Sequence, residues 1–240
     1  MAKIILLAIA FLSRAAPASP EQLPAALEDL EIIGEVDSGW EYLLLQKQSC
    51  TLQDECELYE RAIKDSYLRI LYYEIGITGE SEAESFFDVA PTVDQISTWV
   101  RLSDRSNRNW LGSRVEREGW FKISEYGEHA DLAAFLMVQH SDFDRNFQRE
   151  MLSLLETLLE ERETRPTSWA MLHDRVSVAD GLPQWFGSQG RCVGKNVWEP
   201  WEVEDHETLD ALRADYDLMP MSAYQMRLND RCATFSARTE

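Results

Sequence analysis

The 240-residue chain is short of positive charge, of histidine and of long apolar runs, and each shortage removes a class of function. Lys and Arg total 23 against 43 Asp and Glu, a formal charge of −20. A surface of that sign repels phosphates and anionic head groups, so nucleic acid is not expected as a partner. The apolar run from Ile4 to Leu12 falls short of the roughly 20 residues a membrane-spanning helix needs. With only four histidines, metal spacings are scarce: His129 and His140 do not form the i, i+4 pair of a zinc helix. The sequence also lacks a Gly-rich phosphate loop followed by Lys-Ser/Thr, a Cys-x-x-Cys-His haem attachment and a twelve-residue calcium loop with its central glycine. Ser188 has no Gly-x-Ser-x-Gly elbow around it. No metal and no cofactor is therefore assigned.

What is present is an ordinary globular composition, 45% hydrophobic and 10% aromatic. Lys3, the run Ile4 to Leu12 and the small residues around Ala16 and Ala18 form the pattern of a secretory signal. Cleavage is expected after Ala18, with Ala15 as the other candidate, and no stable membrane insertion is expected afterwards. That address makes the protein periplasmic or secreted, where cysteines pair. Cys50, Cys56, Cys192 and Cys232 allow three pairings, of which Cys50–Cys56 with Cys192–Cys232 is the simplest. A four-cysteine zinc site is the competing reading, but the short paired intervals of a zinc finger are missing.

Periodicity points to a mainly α fold, one compact helical domain with an irregular C-terminal loop region. The expected division is a signal peptide at 1–18, a lead-in with a small disulfide loop at 19–56, and a helical domain at 57–232. Leu58, Ala62, Ile63, Tyr67, Ile70 and Leu71 recur at helical spacing. An acidic connector, Gly79 to Asp94, precedes a second helix with Ile96, Trp99, Val100, Leu102 and Trp110, closed by Gly119. Leu132 to Val138 is apolar nearly all round, which marks a central helix. Ser141 reads as the N-cap of the next helix, with Asp144 three residues on. Another helix is expected at 167–178, then a Gly-rich loop from Leu182 to Pro200 with room for a hairpin, then short helices at about 206–215 and 221–229.

Asp65-Ser66-Tyr67-Leu68-Arg69, Asp104, Asn107 and Gly119-Trp120 lead to a denser set of motifs. These are Gln139-His140-Ser141-Asp142, Phe147-Gln148, Asp174-Arg175-Val176 and Gln184-Trp185-Phe186-Gly187-Ser188-Gln189. Leu209-Asp210, Arg213 and Tyr224 follow. In order and spacing this series, over about residues 57–228, resembles a bacterial domain family of unknown function, number 6624 among such families. The family usually has Tyr-Gly-Thr-Gln at Phe186-Gly187-Ser188-Gln189 and Thr at His173, and commonly another residue at His206. A metal site on His173 or His206 therefore does not follow from the resemblance. The family brings no known activity.

Most of these polar residues stand in apolar or turn-rich contexts, where an unpaired group costs about 1–3 kcal/mol. One reading makes Gln139, His140, Asp142, Gln148, Asp174, Arg175, Gln184 and Gln189 a structural network, in which Asp174 and Arg175 brace loop carbonyls and the Gln184–Gln189 turn and His140 caps its helix. The other makes them a site. His140 would then be a general acid or base, since an imidazole ordinarily titrates near 6.5, with Asp142 or Asp174 orienting it. Arg175 would offer a fork to a ligand carboxylate or phosphate, and Gln184, Ser188 and Gln189 would bind the same small molecule. The leading expectation is a structural or small-ligand-binding role in the cell envelope or outside. The alternative is a hydrolase-like enzyme. Trp185, Trp198 and Trp201 form a secondary candidate surface.

Overall fold

The computed structural model describes residues 46–78 and 91–233, together with a two-residue pairing of β1 (Leu7–Ala8) with β2 (Ile32–Ile33). The signal segment 1–18 beyond Leu7–Ala8, most of the lead-in and positions 79–90 of the connector lie outside the described residues. The fold is mainly α, with 68% of the described residues helical. The chain divides into two compact units: residues 1–121 with 125–140, and residues 122–124 with 141–240.

The first unit is built on α1 (Gln53–Thr78) and α2 (Val93–Glu118). After the one-turn α3 (Ile123–Tyr126) comes α4 (Glu128–Gln139). A capping box starts α2: Gln95 N–H donates to Thr92 Oγ1 at 3.3 Å and Thr92 N–H to Gln95 Oε1 at 2.8 Å. Gly119, at φ +82°, ends it. Leu58, Ala62, Ile63, Tyr67, Leu68 and Leu71 form the buried stripe of α1. The stripe of α2 differs from the apolar pattern. Val100, Leu102 and Trp110 are only half-buried, while Ile96, Trp99, Ser103, Asn107, Leu111 and Arg114 face inward. The 3.6-residue period thus puts polar side chains on the inner face. Arg114, almost fully buried, donates to Gly119 O at 2.6 Å and Tyr126 Oη at 2.9 Å and pairs with Asp54 at 3.3 Å, with the Phe121 ring 4.4 Å away.

The second unit holds α5 (Arg145–Glu160), α6 (Pro166–Ala179), the hairpin β3 (Gly190–Gly194) and β4 (Val197–Pro200), then α7 (Leu209–Asp215) and α8 (Met221–Asn229). The N-cap of α5 is Asp144, not Ser141. Ser141 O instead accepts from Asp144 N–H at 2.9 Å, closing a turn that delays the helix until the Asp144 carboxylate can accept from Phe147 N–H at 3.1 Å. The hairpin is antiparallel, with Cys192 opposite Trp198. Gly190 is obligatory there, because a Cβ would stand 2.2 Å from Glu199 O and 2.4 Å from the Trp198 ring.

Both disulfides of the simplest pairing are formed, Cys50–Cys56 and Cys192–Cys232. The second anchors the segment after α8 to β3, beside a small core of Trp198 and Leu228. No described helix is long and apolar enough to cross a membrane.

Candidate functional site

In the first unit the polar residues on the inner faces of α1 and α2 meet the end of α4. Asp65 projects from the buried stripe of α1, with Arg69 one turn along. Arg69 Nε donates to both Asp65 oxygens at 3.2 Å, and its Nη2 donates to Asp104 of α2. His140 sits at the C-cap of α4, its backbone N–H on Leu136 O at 3.0 Å. Its Nδ1 lies 2.7 Å from Asp65 Oδ2. The side chains of Asp65, Asp104 and His140 are 5%, 13% and 15% exposed, so the group is largely shielded from water.

Burial pulls the two carboxyls the same way, toward the neutral form, and their neighbours separate them. For Asp65 that pull is outweighed by His140 and Arg69, which hold its carboxyl below the ordinary value. For Asp104 burial wins, aided by the nearby Asp65 and opposed by Arg69, and its carboxyl is pushed up to about 7. Arg69, although burial works against its charge, is held above its ordinary value by the two aspartates. With Nδ1 engaged by Asp65, Nε2 is the His140 nitrogen left to exchange a proton with another molecule. Asp65, Asp104 and His140 also have metal-ligating atoms within 4.8 Å of one another. Arg69 holds both carboxylates, so a divalent ion using them would have to displace its guanidinium.

The second unit carries a different polar group. Asp174, fully buried on α6, accepts from the backbone amides of Trp185 at 2.8 Å, Phe186 at 3.0 Å and Ser188 at 2.8 Å. Gln184, equally buried, donates through Nε2 to Gln189 O at 2.8 Å and Trp201 O at 3.0 Å, and its Oε1 accepts from Gln189 N–H at 2.8 Å. Arg213 of α7 donates to Phe186 O and, at 2.7 Å, to Met219 O. Tyr224 Oη donates to Ser188 O at 3.0 Å. Gly187, at φ +65°, lets the chain turn between these anchors. The carboxylate thus takes the N–H side of the loop and the guanidinium takes a carbonyl of it.

The residues picked out in the sequence fall into both units. His140 and Gln139 end α4 in the first. Asp142, Gln148, Asp174, Arg175, Gln184, Ser188 and Gln189 lie in the second. In the first unit His140 pairs with Asp65; in the second, Asp142 receives Arg175 Nη1 at 2.7 Å and Gln148 Nε2 at 3.1 Å. Asp174, Gln184, Ser188 and Gln189 come together around the 184–189 loop, where Gln189 Nε2 donates to Ser188 Oγ at 3.0 Å. His173 Nδ1 is 3.6 Å from Asp174 Oδ1, and its ring packs 4.2 Å from that of Trp185. Reasoning on site chemistry passed over Asp65, Arg69 and Asp104. For Asp65 the signal is an ionisable residue among the apolar members of the α1 stripe, whereas Asp104 stands on α2 beside the buried Ser103 and Asn107.

A family model, DUF6624, described as a family of unknown function, matches residues 82–235. The match contains Asp104, His140 and the whole 184–189 loop and begins after the helix that carries Asp65 and Arg69. No curated protein and no solved structure matches the chain.

Proposed function

The chain belongs to this family of unknown function, and from that premise we propose that it is an exported protein with an acid–base site at His140, acting on a small ligand. The observation that carries the reading is the 2.7 Å contact between His140 Nδ1 and Asp65 Oδ2 at a helix end that is shielded but not sealed. A carboxylate on Nδ1 fixes the ring orientation and supports positive charge on the imidazole as Nε2 takes up a proton. Arg69, joined to Asp65 and Asp104, holds both carboxyls in place. The two disulfides, the signal-like N-terminus and the acidic charge support a periplasmic or secreted setting.

A second reading, a purely structural clamp, is favoured by one feature: the Arg69 guanidinium bridges both carboxylates and so ties α1 to α2. Hydrolysis of p-nitrophenyl esters, phosphates and glycosides by wild type and His140→Ala separates the two. The proposed site predicts turnover of one probe class, reduced about a hundredfold or more in the variant with the fold retained. No turnover by wild type, or equal turnover by both, overturns it. An unfolded His140→Ala variant supports the clamp.

A further inference from the structure

The second unit exposes two indoles beside a stretch of one charge. Residues 199–217 carry eight Asp and Glu against one base, Arg213. That guanidinium is buried and engaged by the carbonyls of Phe186 and Met219. Two backbone bonds fasten the acidic stretch to the 184–189 loop: Gln184 N–H donates to Glu202 O and Glu204 N–H to Gln184 O, both at 2.9 Å. Gln184 thereby pairs in parallel with the buried Val203, which sets Trp185 beside Glu204. Glu202 and Glu204 are exposed, and neither carboxylate has an ion-pair partner among the described residues. Trp185 is 42% exposed and Trp201 40%. The Trp185 amide is tied to Asp174 at 2.8 Å, and its ring lies 4.2 Å from that of His173, which lies 5.1 Å from that of Trp169. A ladder of packed rings thus backs an indole that still meets water, and a ring held this way loses little freedom when a partner stacks on it.

We propose that this edge binds a basic peptide segment of another protein, with an arginine side chain of the partner over Trp185 and its neighbouring cations on Glu202 and Glu204. Trp201 shows the chemistry within the chain itself. The Arg191 guanidinium of β3 stands 4.6 Å from the Trp201 ring centre, a cation on the electron-rich face of an indole. Trp185 offers an equivalent ring, and among the described residues no guanidinium or ammonium of this chain stands over it. Charge complementarity selects the occupant, because the same carboxylates repel an acidic peptide, a nucleic acid or an anionic head group. Acids alone would supply only a diffuse, salt-screened attraction; the backed ring gives it a fixed place. Carboxylates two residues apart along an extended backbone stand about 7 Å apart, the interval of alternate side chains in an extended peptide. One strand with basic residues at alternate positions therefore meets both. Arginine suits the ring better than lysine, since its planar guanidinium stacks on an aromatic face and pairs with a carboxylate through a fork of N–H groups.

Calorimetric titration of the full chain with an Arg-Gly repeat peptide tests this. The expected result is saturable binding that weakens as salt is raised. Trp185→Ala should weaken it about tenfold, and Glu202→Gln combined with Glu204→Gln by about as much. Glu156→Gln combined with Glu160→Gln, which removes two exposed acids of α5, should leave it unchanged. The Trp185 and Glu202/Glu204 variants should melt like wild type, because the Asp174 network uses the amide of Trp185 and not its indole, and the two glutamates are solvated. Should Trp185→Ala melt early all the same, Trp185→Phe keeps a packed ring and the Glu202/Glu204 variant supplies the independent reading. Absence of saturable binding overturns the proposal. So does equal weakening by the α5 pair, which would mean a general attraction to an acidic protein, or a folded Trp185→Ala variant that binds as wild type does. Binding of a neutral oligosaccharide such as cellohexaose through Trp185, with none of the peptide, would assign the edge to sugars and overturn it as well.

Discussion

Asp65 in the first unit takes its hydrogen bonds from side chains, Arg69 and His140. Asp174 in the second takes its own from the backbone amides of Trp185, Phe186 and Ser188. Both carboxylates are nearly sealed from water, yet they do different work. Around Asp174 and Gln184 the hydrogen-bond partners are amides and carbonyls that do not titrate, with His173 Nδ1 farther off at 3.6 Å from Asp174, so the network fixes the path of a loop. Around Asp65 the partners are themselves ionisable, and the state of one alters the others. Burial of a polar side chain is thus a poor guide to function by itself; the chemical type of its partner separates a brace from a responsive site.

Substitutions sharpen that contrast. The largest loss is expected for Asp174→Ala, which strips the acceptor from three buried amides. At about 1–3 kcal/mol for each orphaned group, urea unfolding should show a loss of about 3 kcal/mol or more. Amide exchange at Trp185, Phe186 and Ser188 should accelerate in step. Gln184→Ala comes next, at about 1–3 kcal/mol, because Trp201 O and the Gln189 backbone lose their partner. His140→Ala should lower stability by only about 1–2 kcal/mol, since Arg69 continues to hold Asp65, yet cut turnover by about a hundredfold or more. Such a split between stability and chemistry is not expected at Asp174. Smallest of all is Arg175→Ala. Its carboxylate partner, Asp142, is 64% exposed, so the melting midpoint should move by no more than about 0.5 kcal/mol implies.

Much of the architecture was legible in the chain. Apolar spacing revealed the helices, and cysteine placement suggested the pairing now seen in Cys50–Cys56 and Cys192–Cys232. Ser141 misled because a Ser followed at the third place by an acid resembles a cap, whereas the turn it closes hands that role to Asp144. His140 stood out from its residue type alone. Its partner Asp65 did not, because it lies 75 residues away in sequence and only helix packing joins them. Asp104 was hidden for a related reason: the apolar members of α2 suggested one face, while the buried one includes Ser103 and Asn107. The motif around Gln184 drew attention for its density of polar residues, a density the loop uses on its own backbone.

The pH dependence of unfolding, compared between wild type and Asp104→Asn, tests most directly whether the first unit's group responds to protons while the second's does not. A carboxyl that binds its proton more tightly folded than unfolded contributes stability that is present below its ordinary value of 3.8 and lost as the pH rises to about 7. Asp65, held below its ordinary value, acts in the opposite sense: its contribution is present above 3.8 and lost as the pH falls further. Between these limits the wild-type protein should therefore lose stability relative to Asp104→Asn as the pH climbs, whereas wild type and Gln184→Ala should differ by a constant amount. Parallel curves for wild type and Asp104→Asn across that interval would contradict the account.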